Sequence, residues 1–262
     1  MALFRGDIFS KTMGLDTQVN VIFPDIPYDI ESIYTEPKVL YLLHGLTDNA
    51  SAWARLTQVE YFARLYNFIV VMPEVQRSMY WDMTYGPAYF TYVADELPSL
   101  AGSIFNLPQG KENTFIAGLS MGGYGSLKVA FSRPEKFAGA ASFSGGVDVN
   151  GIIDTFCQPG NPHGSEKDLI AVFGPDYKEK ELNDVFALGV KLAGDEDRPR
   201  LLQTCGTEDF LYEDNKRLKM ALDGAGYGHT YLEWPGGHEW PFWNKSLELA
   251  MRFFRGQKVT AP

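Results

Sequence analysis

The chain has 262 residues, 45% of them hydrophobic, and a formal net charge of −10. That length and apolar content can bury one large core, and a single α/β domain of this size is ordinary. The acidic balance argues against nucleic acid and an anionic membrane as main partners and is compatible with a soluble enzyme, so the charge excludes more than it identifies.

The first residues, Met1-Ala2-Leu3-Phe4-Arg5-Gly6-Asp7, lack a basic segment followed by an apolar stretch, so no signal peptide is expected and the expected location is cytoplasmic. No segment approaches the roughly 18 continuous apolar residues of a membrane span. Leu3–Ser10 and Gln18–Phe23 read as antiparallel strands joined by a polar turn containing Gly14, and Lys38–Leu43 as a further strand ending at His44-Gly45. From there strands and helices alternate. Strands are expected at Phe68–Met72, Thr114–Ala117, Gly139–Phe143, Arg200–Thr204 and Thr230–Glu233. Helices are expected at Ser51–Leu65, Tyr89–Phe105, Gly123–Phe131, Tyr212–Ala221 and Pro241–Phe254. This alternation predicts a mostly parallel central sheet with antiparallel N-terminal strands and helices on both faces. Asp148–Asp197 breaks the rhythm. Rich in Gly, Pro and charge, it reads as an insertion or lid at about 148–197 within one domain covering 1–262, or as a surface excursion with short helices.

Cys157 and Cys205 are the two cysteines. They form no C-x-x-C motif, and with four histidines they leave little for a zinc site, so isolated thiols are expected.

Gly118-Leu119-Ser120-Met121-Gly122 is the most informative motif. An apolar run precedes it and a tightly packed helix start follows, the setting in which a G-x-S-x-G serine becomes a nucleophile at a sharp strand-to-helix turn. A serine hydroxyl needs a base to take its proton, usually a histidine oriented by a carboxylate. Of the four histidines, His229 reads as a strand-edge residue, His163 as a loop residue of the insertion, and His44 as a shaper of its loop. His238 lies in Trp234-Pro235-Gly236-Gly237-His238-Glu239-Trp240, a turn-rich loop between the last strand and last helix, and is the candidate base. The acid should follow the penultimate strand, where Thr207-Glu208-Asp209-Phe210 lies. Asp209 is the choice, with Glu208 as rival and Asp214 on the following helix. The order Ser120, Asp209, His238 is the chain order of α/β-hydrolases. Backbone N–H groups of Met121 and Leu46 are the candidate oxyanion donors, with Gly45 the alternative to Leu46.

These residues resemble the esterase family of α/β-hydrolases that includes tributyrin esterases, S-formylglutathione hydrolase (esterase D), feruloyl and acetylxylan esterases, and the antigen 85 mycolyltransferases. The resemblance runs through nearly the whole chain. It is carried by His44-Gly45-Leu46-Thr47-Asp48-Asn49, Tyr80-Trp81-Asp82-Met83, Tyr85-Gly86, Gly118–Gly125, Cys205–Tyr212 and Gly236-Gly237-His238. It is closest to the bacterial tributyrin esterase branch, and implies a serine carboxylesterase for short-chain acyl esters, often oligomeric, that uses no cofactor and no metal. S-formylglutathione hydrolases usually carry Cys after the Gly-Leu-Thr loop where this chain has Asp48, and acetylxylan and feruloyl esterases usually carry a secretion signal. An acyltransferase on the same triad, or a binding protein on the same fold, are the competing readings. Trp53, Tyr80, Trp81, Phe156 and Trp240 are candidate pocket residues, because an aromatic-lined cleft suits acyl chains or a phenolic acid.

Overall fold

The computed structural model describes residues 1–25, 34–156, 158, 164–182 and 184–262. Eight strands form one sheet in the order β1-β2-β4-β3-β5-β6-β7-β8. They are β1 (Ala2–Ser10), β2 (Leu15–Phe23), β3 (Lys38–Leu43), β4 (Phe68–Pro73), β5 (Thr114–Leu119), β6 (Gly139–Phe143), β7 (Arg200–Gly206) and β8 (Thr230–Trp234). β2 runs antiparallel to both β1 and β4, and every pairing from β4 to β8 is parallel. The antiparallel N-terminal strands expected from the sequence are therefore present, with β4 inserted between β2 and β3.

The central strands are near-continuous apolar runs because both of their faces are buried. Val39, Tyr41 and Leu43 of β3 join one core while Leu40 and Leu42 join the other. Ile69 and Val71 of β4 divide in the same way from Phe68, Val70 and Met72. This two-residue alternation fixes the register, since a one-residue slip would exchange the two faces.

Helices α1 (Ala52–Leu56) and α2 (Val59–Leu65) lie on one face, together with the last helix. The sequence predicts one helix over Ser51–Leu65. Thr57 divides it: its hydroxyl donates to the Trp53 carbonyl at 2.6 Å and accepts from the Val59 N–H at 3.2 Å, which ends one helix and starts the next. On the opposite face lie α3 (Tyr89–Thr91), a π-helical turn over Tyr92–Glu96, and α4 (Leu97–Phe105). The π turn stands just before Pro98, which has no N–H to return to Ala94. Lys136 Nζ donates to the Ala94 carbonyl instead, at 2.9 Å. α5 (Met121–Ser132) starts at the serine motif and packs on that face too.

Among the described residues of the segment expected as an insertion or excursion are three α-helices, α6 (Val149–Phe156), α7 (Glu166–Phe173) and α8 (Asp184–Leu192). Then come α9 (Tyr212–Ala225) and α10 (Trp240–Phe254). A buried polar seam ties α8 to α5. Lys128 Nζ lies 3.2 Å from the Trp81 ring centroid and 2.9 Å from Asp184 Oδ2. Trp81 Nε1 donates to the Tyr124 hydroxyl at 2.8 Å, which in turn donates to Asp184 Oδ1 at 2.9 Å. Burial lowers the Lys128 pKa to about 8, against the opposing pull of Asp184.

The two ends of this ion pair are unequally buried: the Lys128 side chain is 8% exposed and that of Asp184 25%. Removing the acid strands a buried ammonium, so Asp184→Ala is expected to cost about 3 kcal/mol or more in urea denaturation near neutral pH, and Lys128→Met less. The Asp184→Ala penalty should shrink above about pH 8, where Lys128 sheds its proton in the wild type as well.

Candidate active site

Strand β5 passes into α5 through Ser120, whose φ of 52° and ψ of −117° lie in a region that non-glycine residues rarely enter. Such a conformation costs on the order of 1–3 kcal/mol and persists only where the surroundings enforce it. The Ser120 N–H donates to the Phe143 carbonyl at 2.9 Å, and the Ser120 carbonyl accepts from Gly146 N–H at 3.0 Å and Tyr124 N–H at 3.1 Å. The turn also needs its glycines. A Cβ on Gly118 would collide with the Gly122 carbonyl, and one on Gly122 would lie 2.5 Å from the Leu43 carbonyl oxygen.

His238 and Asp209 arrive at this turn from the loops after β8 and β7. Asp209 carboxylate oxygens lie 2.9 and 3.1 Å from His238 Nδ1, and His238 Nε2 lies 3.0 Å from Ser120 Oγ. A carboxylate accepts only, so Nδ1 carries the proton and Nε2 is left to accept from the serine hydroxyl. The Asp209 side chain is fully buried. Burial by itself would raise its pKa, but the His238 imidazole and the Leu211 N–H, which donates to Oδ1 at 2.9 Å, outweigh that and hold it below its ordinary value. Two rings to which the sequence assigned no role flank the imidazole: Trp243 packs against it edge-on at 4.8 Å and the exposed Phe210 at 4.6 Å. Their positions carried a readable signal, since Phe210 follows Asp209 directly and Trp243 lies one turn beyond His238.

Of the other acids considered, Glu208 is exposed and its N–H donates to the Gly236 carbonyl at 3.0 Å, while Asp214 lies on α9 and binds Arg217 at 2.9 Å. Neither is hydrogen-bonded to His238. Among the other histidines, His44 is buried, with Nδ1 2.7 Å from the Gly45 carbonyl and Nε2 accepting from Val75 N–H at 3.2 Å. It braces its loop. His229 sits before β8 with its side chain out of solvent, and burial lowers its pKa. His163 and Cys157 lie outside the described residues, whereas Cys205 is buried in β7 with its thiol pKa raised by burial. Among the described residues no three His, Cys, Asp or Glu side chains are grouped as metal ligands.

The loop from His44 to Asn49 lies directly against Ser120: a Cβ on Gly45 would stand 3.7 Å from that of the serine. Asp48 Oδ2 accepts from the Gly45 N–H at 3.1 Å, and Asp48 N–H donates to the Gly45 carbonyl at 3.2 Å, which closes the loop into a tight turn. Leu46 projects from it into a cleft of about 330 Å³, part of it open to solvent. Met79, Ile152, Leu169, Val172 and Phe173 supply most of the apolar lining, with Arg77 and Asp168 as its polar members. Ile152 connects this cleft to the serine: a Cβ on Gly146, whose N–H binds the Ser120 carbonyl, would sit 2.9 Å from Ile152 Cδ1. Met121 is the first residue of α5, and the first N–H groups of a helix have no acceptor within it.

The aromatic residues singled out from the sequence divide. Trp53 and Tyr80 are both 0% exposed, so neither offers a surface to a ligand. Trp53 instead donates to the Leu43 carbonyl at 3.0 Å and Tyr80 to the His44 carbonyl at 3.0 Å, both bracing the strand and loop beside Ser120. Their correction has one cause: a loop at the right sheet edge can still turn its ring inward. Trp81 packs edge-on to Phe173 of the cleft at 5.2 Å, and its indole is occupied by Tyr124 and Lys128. Half-buried Trp240 packs edge-on to Trp53 and Trp243. The side chain of Phe156 lies outside the described residues.

The sheet order, the strand–turn–helix at Ser120 and helices on both faces define an α/β-hydrolase. Residues 10–254 match the family model described as "Putative esterase". An acetyl esterase of Caldicellulosiruptor saccharolyticus is 32% identical over 268 residues, covering 97% of this chain and 98% of the relative. The substrate-bound structure of fluorophosphonate-binding serine hydrolase F of Staphylococcus aureus is similar at a TM-score of 0.84 and 31% identity, covering 97% of this chain and 98% of that one. An S-formylglutathione hydrolase (FrmB) of the same species follows at 0.82 and 30%, with the same coverage. The chain belongs to the Putative esterase family and is a carboxylic ester hydrolase with a small-molecule ester as substrate. No described helix is long and apolar enough to cross a membrane.

The depressed pKa of Asp209 makes a test in acid. A carboxyl with a folded-state pKa below its unfolded value adds stability above the ordinary carboxylate range and loses it as pH falls through the folded value. The difference in unfolding free energy between wild type and Asp209→Asn should therefore be widest near neutral pH and narrow as the pH falls below about 4, the ordinary aspartate value.

Proposed function

We propose that the protein is a serine carboxylesterase for short-chain acyl esters, acting through an acyl-enzyme on Ser120 with His238 as base and Asp209 as its orienting acid. The observation that carries the reading is the position of His238, within hydrogen-bond reach of Ser120 Oγ at 3.0 Å and of the Asp209 carboxylate at 2.9 Å. In this mechanism Ser120 Oγ bonds to the ester carbonyl carbon as its proton passes to His238 Nε2. Asp209, holding Nδ1–H, fixes the tautomer and stabilises the imidazolium. The C–O bond to the alcohol then breaks, and the alcohol leaves with the proton from His238. Water, deprotonated by the same nitrogen, attacks the acyl-serine; the bond from the acyl carbon to Ser120 Oγ breaks, His238 returns the proton to Oγ, and the carboxylic acid is released.

Charge builds on the carbonyl oxygen in both tetrahedral intermediates. The Met121 and Leu46 N–H groups are the proposed donors for it, each contributing roughly 2.7–4 kcal/mol of transition-state stabilisation. Gly45 keeps the second donor in place, since a Cβ there would press to 2.7 Å on Leu119 Cδ1 and to 2.8 Å on Asp48 Oδ2. The apolar cleft beside Leu46 is the proposed site of the acyl chain, with the 148–197 segment as an insertion of a single hydrolase domain that walls it. Ile152, which packs against Gly146 beside the serine backbone, would meet the chain near its first carbons. The 32% identity to an acetyl esterase supports a small acyl group.

Ser120→Ala is expected to abolish both hydrolysis of p-nitrophenyl acetate and labelling by a fluorophosphonate while leaving the thermal melt intact. Asp209→Asn should lower kcat by about 10⁴, because the imidazole loses its orientation and tautomer. A near wild-type Asp209→Asn beside an inactive Glu208→Gln would move the acid to Glu208. Leu46→Ala should be mild and Gly45→Val severe, since the donor is backbone. In a panel of acyl lengths, acetylated sugars, feruloyl esters and S-formylglutathione, acetyl and butyryl esters should lead, and Ile152→Ala should shift the preference toward longer chains. Product analysis with added acceptor alcohols separates this from acyl transfer, which would show as transfer dominating at low acceptor concentration.

A further inference from the structure

The first turn of α9 carries Asn215, a polar side chain fully out of solvent. A carboxamide has two N–H donors and one carbonyl acceptor, and here both kinds are engaged. Nδ2 donates to the Gly145 carbonyl at 2.9 Å and to the Leu211 carbonyl at 2.9 Å. Oδ1 accepts from Gln203 Nε2 of β7 at 3.0 Å, and the same nitrogen donates to the Asn215 backbone carbonyl at 3.0 Å. These partners fix which way the amide points. The reverse orientation would set an oxygen against two carbonyls and an NH₂ group against another.

The two carbonyls lie in different loops, and each loop holds one member of the proposed triad. Gly145 follows β6. Its carbonyl and the Gly146 N–H belong to one peptide unit, in which a trans bond points the two in opposite directions. With the carbonyl tied to Asn215, the N–H is turned toward the Ser120 carbonyl, 3.0 Å away. Leu211 lies in the loop after β7, and its N–H donates to Asp209 Oδ1 at 2.9 Å. A continuous path of hydrogen bonds thus runs from the Ser120 backbone to the Asp209 carboxylate, with Asn215 at its middle. Capping α9 would need only half of this. The bond to Leu211 reaches four residues back along the chain, whereas the bond to Gly145 joins residues 70 apart.

We infer that Asn215 is a positioning residue for ester hydrolysis, holding the turn of Ser120 and the loop of Asp209 at the separation that His238 bridges. Its role rests on the proposed reading of Ser120, Asp209 and His238 as the reacting groups. His238 lies 3.0 Å from Ser120 Oγ and 2.9 Å from Asp209 Oδ2, so one ring serves both only while that separation is kept. Asn215 is buried away from the substrate and acts through the two loops alone. A displacement of about 1 Å between reacting groups can cost on the order of 10²-fold in rate.

Two substitutions test this. Asn215→Asp keeps the shape and the acceptor for Gln203 but sets a carboxylate oxygen against two carbonyls. Asn215→Thr keeps a hydroxyl that can donate back to the Leu211 carbonyl and has no donor for Gly145. Both are assayed with p-nitrophenyl acetate well below their own melting temperatures. Each is expected to lower kcat by about 10- to 100-fold with KM within about twofold, and to slow labelling of Ser120 by a fluorophosphonate in proportion. In an Asp209→Asn background the further loss from Asn215→Thr should fall below about threefold, because the orientation it protects is already gone. Folded variants with kcat near wild type, or an undiminished further loss in the Asp209→Asn background, would overturn the inference. Failure of both variants to fold would do the same, making Asn215 a folding residue. Activity that persists in Ser120→Ala would instead overturn the triad itself, so the two failures are told apart.

Discussion

A non-glycine residue at φ 52° sits at the centre of this molecule, and much of the surrounding structure holds it there. The strain at Ser120 is offset by three backbone hydrogen bonds from β6, α5 and the loop after β6. It also requires α5 to come so close to β3 and β5 that side chains are excluded at Gly118 and Gly122. The turn that results lifts the serine hydroxyl above the sheet edge, toward the loops that follow β7 and β8. A helix entering at a gentler angle would leave Oγ against the strand, out of reach of His238. The strain is thus the geometric condition for the rest of the site.

Those loops differ in how they hold their groups. Asp209 is locked, with its carboxylate out of solvent and shared between the His238 ring and the Leu211 N–H. His238 is less enclosed, 19% exposed along its side chain, with Trp243 and Phe210 on its flanks. A buried anion beside a ring with some access to water is an arrangement that suits the proton transfer proposed for His238. The loop from His44 to Asn49 is held differently again. Asp48, His44 and Tyr80 fix its backbone from below, so the side chain of Leu46 is free to serve the cleft.

Much of this was legible in the sequence, and for physical reasons. A serine flanked by glycines between an apolar run and a helix admits few conformations, and strands buried on both faces leave unbroken apolar runs. The chain order of Ser120, Asp209 and His238 placed each residue after the strand that now carries it. What stayed hidden depends on contacts distant along the chain. Nothing local places β4 between β2 and β3, or splits a helix at Thr57. The inward turn of Trp53 and Tyr80 was equally closed to sequence, because ring direction is set by packing against Leu43 and His44. The cleft wall escaped for a related reason: α6 and α7 are short helices whose apolar residues, such as Ile152 and Phe173, gain meaning only opposite Leu46.

The seam between α5 and α8 bears on how that wall can move. Lys128 belongs to the helix that begins at Ser120, yet its counter-ion, Asp184, belongs to the segment that encloses the cleft. Lifting α8 away would strip an ammonium of its carboxylate while it stayed buried over the Trp81 ring, an arrangement that a low-dielectric interior penalises steeply. α8 is therefore anchored to the helix that begins at Ser120, whereas α6 and α7, which line the cleft, lie ahead of that anchor in the chain. The ion pair thus divides the segment into a helix held to the frame of the sheet and two helices whose apolar residues face the cleft.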